Sequence, residues 1–430
     1  MKLFPIEKVI LKHVVGGGQT IGELADGRKV FVWGGLPGEE VMVQITKRKK
    51  NYAEGVVTEV ITASKERVAA ADPDSFLSTS PWQIYDFSAE QHYKSSLIEE
   101  AFELHNIVLP EPITLETDGQ EHGYRNKVEF SFWWDTDTET LDLAFFKRGG
   151  SGKVPVQGTS LALPAINAAA TRILDFLRDK KIEARALKTI LIRCTQQQEV
   201  HAQLYVKDET VAKSFTSDEL LAWKVSGAEI MYSDHRSPAS VITKRYARAG
   251  TEWLEDKILA IPFRYAAESF FQVNIPVYEM ALRDMQNFIP AGSPVIDIYS
   301  GVGSIGLTIG GEQPTLVESN DYAVAEMRRN IAALGRHATV VHATAETATD
   351  YITGAATIIV DPPRAGLHKA VIEKLLAERP KRIVYLSCNP VTQARDVGLL
   401  AEAYGIKAHK GYNFFPRTPH IEHLVVLDIR

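Results

Sequence analysis

Pro294-Val-Ile-Asp-Ile-Tyr-Ser-Gly-Val-Gly-Ser-Ile-Gly306 reads as a buried strand, a glycine-rich turn and the start of a helix. Gly301, Gly303 and Gly306 form G-x-G-x-x-G at the strand-to-helix junction, where glycine permits a tight turn and close approach of the backbone to a nucleotide-containing ligand. Glu318 ends the next strand, Thr315–Glu318, placed to accept hydrogen bonds from ribose hydroxyls. The turn alone does not separate a dinucleotide from S-adenosylmethionine. Working outward, Asp321–Leu334 carries Val324, Met327, Ile331 and Leu334 on one helical face, with Gly335 as its stop. Ala356–Val360, Arg382–Leu386 and Leu424–Ile429 are further apolar strands. Strand–helix alternation from about residue 261 predicts a parallel doubly wound α/β sheet, with ligands at the carboxyl ends of its strands.

Three of those strands meet chemistry at their ends. Asp361-Pro362-Pro363-Arg364 follows one, and the prolines would hold the carboxylate rigidly where substrate and cofactor meet. Many adenosylmethionine-dependent methyltransferases carry an acidic or amide residue and two prolines there, and those acting on exocyclic amines usually add an aromatic. Arg364 in that place disfavours amine methylation. Ser387-Cys388-Asn389-Pro390 follows the next strand, and nearby amides are expected to lower the Cys388 pKa towards the reactive thiolate. Glu422, entering the last strand, reads equally as a base for the same pocket or as a surface residue. Cys194 lies in an apolar run without a His or second Cys, as a small core residue does.

The rest of the chain divides into two. Residues 1–65 contain short β-rich runs (Val9–Ile10, Lys29–Trp33, Val41–Ile45, Gly55–Ile61) and a hairpin signal at Asp26–Gly27, which suggests a small barrel. Ten Lys and Arg against seven Asp and Glu make this stretch +3 in a chain of net charge −6. Lys47, Arg48, Lys49 and Lys50 are consecutive, and read equally as a phosphate-contacting edge or a solvated turn. Residues 66–260 read as an α+β module, with helices over Ser88–Leu104 and Leu163–Arg178 and hairpins over Lys127–Lys147 and Thr189–Val206.

Composition bounds the reading. At 45% hydrophobic and 24% charged residues over 430 positions, the chain is neither disordered nor fibrous. Two cysteines exclude a disulfide framework, a four-cysteine zinc site and an iron–sulfur cluster, and fit a reducing cytosol. No window approaches about eighteen consecutive apolar residues, and Met1–Ile10 has no long apolar core, so neither a membrane span nor a signal peptide is expected.

Taken in order, Tyr299–Gly306, Asp361–Gly366, Ser387–Asp396 and Phe415–Glu422 resemble the signature of the RNA uracil-5 methyltransferases, which make 5-methyluridine in rRNA and tRNA. Glu268–Asn274 resembles the family segment before the cofactor domain, Tyr124–Phe130 the opening of its central RNA-contacting domain, and residues 1–65 a TRAM barrel. The resemblance implies a class I, Rossmann-like methyltransferase domain (261–430), an N-terminal OB-like TRAM barrel (1–65) and a central α+β RNA-binding domain (66–260), whose segment 66–95 can pack with the catalytic domain. It implies S-adenosylmethionine as cofactor, with Gln272, Tyr299, Gly301, Gly303, Glu318 and Asp361 around it. Cys388 would add to uracil carbon 6 and Glu422 would remove the carbon 5 proton. Lys47, Arg48, Lys49, Lys50 and Phe270 would contact RNA. The base must be flipped out, and Phe270 or Phe271 would stack on it, although a core role fits either as well.

The chain departs from the family in one respect. Many rRNA-modifying members carry four cysteines between barrel and first helix for a [4Fe–4S] cluster, whereas Val68–Tyr93 has none, which implies a cluster-free member. A TRAM barrel favours 23S rRNA over tRNA by analogy, in a cytoplasmic monomer without a membrane partner. Competing readings are an NAD-dependent oxidoreductase, a non-catalytic RNA-binding protein with a methyltransferase fold, and a cytosine methyltransferase using the same thiol addition.

Overall fold

A computed structural model describes residues 5–237 and 239–430. Residues 1–4, part of the Met1–Ile10 stretch considered above, lie outside the described residues. The strands Ile6–Val14, Thr20–Glu23, Lys29–Trp33, Glu40–Arg48 and Tyr52–Thr62 close into a five-stranded barrel. Alternate side chains, among them Val9, Leu11, Val30, Val32, Val41 and Val43, fill its interior. Thr20–Glu23 was not among the expected strands. It is short and carries Gly22, where a Cβ would overlap Val9, so the feature that hides it from propensity is what lets the barrel close.

Seven strands form the middle sheet, in the order Lys244–Gly250, Gly227–Tyr232, Val200–Val206, Leu187–Cys194, Lys127–Asp135, Thr140–Phe146, Lys153–Val156. The helix Pro164–Asp179 covers one face through Ile166, Ala170, Ile173 and Leu177. Cys194 is fully buried in that core, and burial pushes its thiol up to about 11.

The barrel ends at Thr62, but the segment that packs with the C-terminal sheet runs past residue 95 and the hairpin around 260 belongs with the C-terminal core. The helix Phe87–Glu103 packs Leu97, Ile98, Ala101 and Phe102 into the core of the C-terminal sheet, and Leu115–Glu116 pairs in parallel with Gly411–Tyr412 at that sheet's edge. The hairpin Leu254–Ile258 and Ile261–Tyr265 packs with Leu282 and Met327 of the C-terminal region. A two-residue strand has no periodicity of its own, so only long-range pairing shows which sheet it joins. Ahead of that helix, where cluster cysteines would stand, Trp82 is buried, lies 4.9 Å from the Tyr85 ring and donates from Nε1 to the Gly18 carbonyl (2.9 Å).

The C-terminal sheet has the order Thr339–His342, Thr315–Glu318, Val295–Ile298, Thr357–Val360, Arg382–Ser387, Glu422–Ile429, Tyr404–Tyr412, Leu115–Glu116. The first five strands are parallel, with helices Ser304–Ile309, Asp321–Leu334, Lys369–Glu378 and Pro390–Leu400 between or after them. The sheet is therefore mixed and not wholly parallel as expected: Glu422–Ile429 runs antiparallel to both of its long neighbours. Its first residue consequently lies at the same sheet edge as the carboxyl ends of the parallel strands. Gly335 caps Asp321–Leu334 at φ +59, the stop expected from sequence.

Candidate active site

A cavity of about 610 Å³ opens at those strand ends. It brings together Gln272, Tyr299, Gly301, Glu318, Asp361, Cys388 and Glu422, with Phe270 at its wall. Gly303 does not line it. The three glycines have different reasons. Gly301, at φ +57, has open space around its Cα, as a backbone that a ligand approaches must. A Cβ on Gly303, at φ +86, would meet Leu307 Cδ1 at 2.9 Å and crowd Met327 of the next helix, whereas one on Gly306 would overlap Leu316, so Gly306 allows close helix–sheet packing. Tyr299, at φ +70, holds a conformation rare for a residue other than glycine, immediately before the turn.

Glu318 is committed before any ligand arrives. Its Oε2 accepts from the Gly301 N–H (2.9 Å), and its Oε1 from the N–H groups of Ser319 (2.8 Å) and Asn320 (2.7 Å). A carboxylate offers about four lone-pair positions, so acceptor capacity remains for a ribose hydroxyl. Gln272 and Asp361 make no side-chain hydrogen bond among the described residues although both line the cavity. An open glycine backbone, a rigidly held carboxylate, two polar side chains lacking partners and the aromatic rings of Phe270 and Tyr322 fit a nucleoside bearing a polar amino-acid tail. The sequence reading passed over Asp297. It is fully buried, its Oδ2 accepts from the Gly306 N–H (2.9 Å), its Oδ1 has no partner, and burial pushes it up to about 8.

The reacting end of the cavity is acidic. Glu422 is buried, and burial together with Asp361 pushes its carboxyl well above the usual range. Burial also pushes Asp361 up to about 7. The buried Glu422 and the half-buried Asp361 repel each other as anions, so ionising one disfavours ionising the other. The Cys388 pKa is raised, not lowered as expected. Desolvation, then the Glu422 and Asp361 carboxyls, push the thiol up to about 11, and Arg364 and a backbone hydrogen bond oppose this only in part. Cys388 does precede the helix Pro390–Leu400, capped by Asn389, but burial outweighs the amides. Asn389 Nδ2 and Thr392 Oγ1 both donate to the Arg364 carbonyl (2.8 and 3.1 Å), which ties the Asp361–Arg364 loop to the Cys388 turn.

The segment leading into Glu422 is held by a buried polar network that sequence inspection missed. Lys94 Nζ pairs with Glu90 (2.8 Å) and donates to Asn413 Oδ1 (2.6 Å) and the Phe415 carbonyl (3.1 Å). Both Glu90 oxygens accept from the Arg417 N–H, and Arg417 sits at φ +65. Glu90 and Lys94 stand four residues apart on a helix, which in sequence looks like an exposed ion pair.

The RNA-side candidates separate. Phe270 is 72% exposed at the cavity, whereas Phe271 is buried and stacks on Tyr265 with ring centroids 4.1 Å apart. Lys47 pairs with Glu54 (2.7 Å) and Arg48 with Glu7, while Lys49 and Lys50 have no carboxylate partner among the described residues. None of these four lines the cavity.

The family model of the tRNA (Uracil-5-)-methyltransferases matches residues 347–430, and that of the TRAM domain matches residues 12–58. An "uncharacterized RNA methyltransferase" of Nitratidesulfovibrio vulgaris is 28% identical, covering 94% of this chain and 92% of the relative. A second, from Bacillus anthracis, is also 28% identical, over 98% of this chain and 96% of its own length. The crystal structure of Pyrococcus abyssi tRNA (uracil-54, C5)-methyltransferase in complex with S-adenosyl-L-homocysteine superposes with a TM-score of 0.79 at 22% identity, over 98% of this chain and 100% of that one. That last likeness is one of fold.

Proposed function

Since this chain is a TRAM-containing member of the RNA uracil-5 methyltransferase family, and an S-adenosylmethionine-dependent enzyme, we propose that it methylates carbon 5 of a uridine in 23S rRNA through a covalent adduct of Cys388. One observation carries the mechanism: Cys388 and Glu422 meet in one cavity with the glycine turn because Ser387 pairs with His423 across antiparallel strands. Gln272, Tyr299, Gly301, Glu318 and Asp361 would hold the cofactor, with Gly303 shaping the turn beneath it. When bound, S-adenosylmethionine supplies an electrophilic methyl group and a positive sulfonium.

Carbon 5 of uracil is a weak nucleophile until carbon 6 is attacked. Cys388 Sγ, ionised with Arg364 beside it, adds to carbon 6 and leaves an enolate whose carbon 5 takes the methyl. Glu422, in its ionised form, removes the carbon 5 proton, the carbon 5–carbon 6 double bond re-forms and the Cys388 thiolate leaves. Asp361 keeps the Glu422 carboxyl basic enough to do this. Phe270 offers an exposed face on which the flipped base stacks.

A second reading is a tRNA substrate. The Pyrococcus abyssi enzyme, named for a tRNA uracil, shares the fold along nearly the whole chain, so a barrel does not by itself select rRNA. The proposal includes a monomer acting in the cytoplasm; among the described residues no helix is long and apolar enough to cross a membrane. Mapping 5-methyluridine in 23S rRNA and tRNA from cells with and without the gene tests the substrate. Loss from 23S rRNA supports the proposal, loss from tRNA alone replaces it with the second reading, and no loss from either overturns the catalytic one.

A further inference from the structure

In the strand Lys127–Asp135, Val128, Phe130 and Phe132 face the helix-covered core, so Lys127 points to the opposite face of the middle sheet. There it stands in register with Arg193, whose guanidinium donates to the carbonyls of Ser269 (2.7 Å) and Phe271 (2.6 Å). The preceding Asn126 donates to the carbonyls of Val273 (3.1 Å) and Gln272 (3.0 Å). Lys127 is thereby fixed beside the segment that presents Phe270 to the cavity, without itself lining the cavity.

Its half-buried ammonium has no hydrogen bond and no ion pair among the described residues, and Glu129 is not within ion-pair distance. Burial, with Arg193 and Arg125 alongside, pushes it down to about 7. Among the described residues Arg125 likewise has no carboxylate partner; its Nε donates to the Lys127 carbonyl (2.9 Å), and its side chain also meets the Tyr124 hydroxyl. The positive field of Arg125 extends to His420, whose Nδ1 lies 3.3 Å from Nη2 of Arg364, a residue that lines the cavity. Two cations next to each other and unmatched by acid are unfavourable in the free protein and become favourable when an anion joins them.

We propose that Lys127, assisted by Arg125, binds a backbone phosphate of the RNA strand immediately beside the uridine that enters the cavity. This rests on the RNA-methyltransferase reading. A phosphate fits better than the carboxylate of the cofactor, because Lys127 flanks the exposed Phe270 and does not line the cavity in which the cofactor would lie.

The test uses the full chain, a fluorescein-labelled 2′-O-methyl oligouridylate of about 12 nucleotides and its uncharged methylphosphonate counterpart. Lys127→Met should weaken the phosphodiester oligomer by roughly tenfold and reduce the slope of log affinity against log salt by about 0.7, while Lys127→Arg restores both. Wild type and Lys127→Met should bind the methylphosphonate oligomer alike, which a merely structural role would not produce. Equal loss on both oligomers, or no loss on either, overturns the phosphate contact. Weakened binding of S-adenosylhomocysteine by Lys127→Met with RNA affinity intact assigns the lysine to the cofactor instead. Failure of the wild type to bind either oligomer removes the RNA reading itself, and the contact with it.

Discussion

Gly18, in the first turn of the barrel, lies against Pro419 so closely that a Cβ added to it would overlap the proline ring. Trp82 locks the same contact by donating to the Gly18 carbonyl from Nε1 and to the Arg417 carbonyl from its N–H (3.1 Å). The barrel is therefore packed on the loop that delivers Glu422, three residues beyond Pro419. Gly18→Ala adds steric overlap to a backbone at φ +89, and should destabilise the protein by about 1–3 kcal/mol. Turnover should fall more than RNA affinity; thermal unfolding and single-turnover rates check this, and an unchanged melting temperature would mean that the barrel turn yields freely.

Cys388→Ala should abolish turnover and also the covalent complex with RNA carrying 5-fluorouridine, because fluorine does not leave as a proton does. A complex that persists in the variant would strip Cys388 of the nucleophile's role.

Glu422→Gln separates base from nucleophile. Thiol addition and methylation precede proton removal, so the variant should transfer one methyl and stall as an adduct with ordinary uridine, losing roughly a hundredfold or more in turnover. The adduct is read as a slow, heat-labile band on a denaturing gel. Turnover like that of the wild type would mean that another group takes the proton.

Asp297 makes stability depend on pH. Its folded pKa, about 8, is raised above an ordinary carboxyl, so its proton is held more tightly in the folded chain than in the unfolded one. The stabilisation is complete below the unfolded value of about 4, declines as pH rises, and is gone above about 8. Asp297→Asn keeps an acceptor for the Gly306 N–H and carries no charge. It should flatten this decline, so that its stability relative to wild type improves from about pH 5 to about pH 9 in urea unfolding. Parallel profiles for the two proteins would show that Asp297 is ionised in the fold.

Charge reversal at Lys49 and Lys50 should weaken RNA binding and its salt dependence, since among the described residues neither has a carboxylate to neutralise it. Reversal at Lys47 and Arg48 instead places like charges beside Glu54 and Glu7, and should lower the melting temperature of the barrel. Equal RNA affinity in the Lys49/Lys50 variant would leave the run a solvated turn.

What could be read from the sequence was local. Pro294–Gly306 encodes strand, turn and helix within thirteen consecutive residues, and Asp361 and Cys388 each follow an apolar run, so their position at strand ends needs no tertiary knowledge. The helix stop at Gly335 and the hairpin at Asp26–Gly27 are likewise set by backbone conformations that neighbouring residues dictate. Tertiary structure alone decided the rest. The direction of Glu422–Ile429 depends on pairing with two other strands, and it turns Glu422 from an even choice between base and surface residue into a buried carboxyl beside Asp361. The Glu90–Lys94–Arg417 network joins residues more than three hundred positions apart, and its i,i+4 pair looks solvated until the Asn413–Arg417 segment closes over it. The Cys388 pKa differs from its sequence-based expectation for the same reason: local amides favour a thiolate, but desolvation and two carboxyls brought in from other strands raise it. Backbone geometry is fixed by near neighbours, whereas burial and charge depend on whatever the folded chain packs alongside.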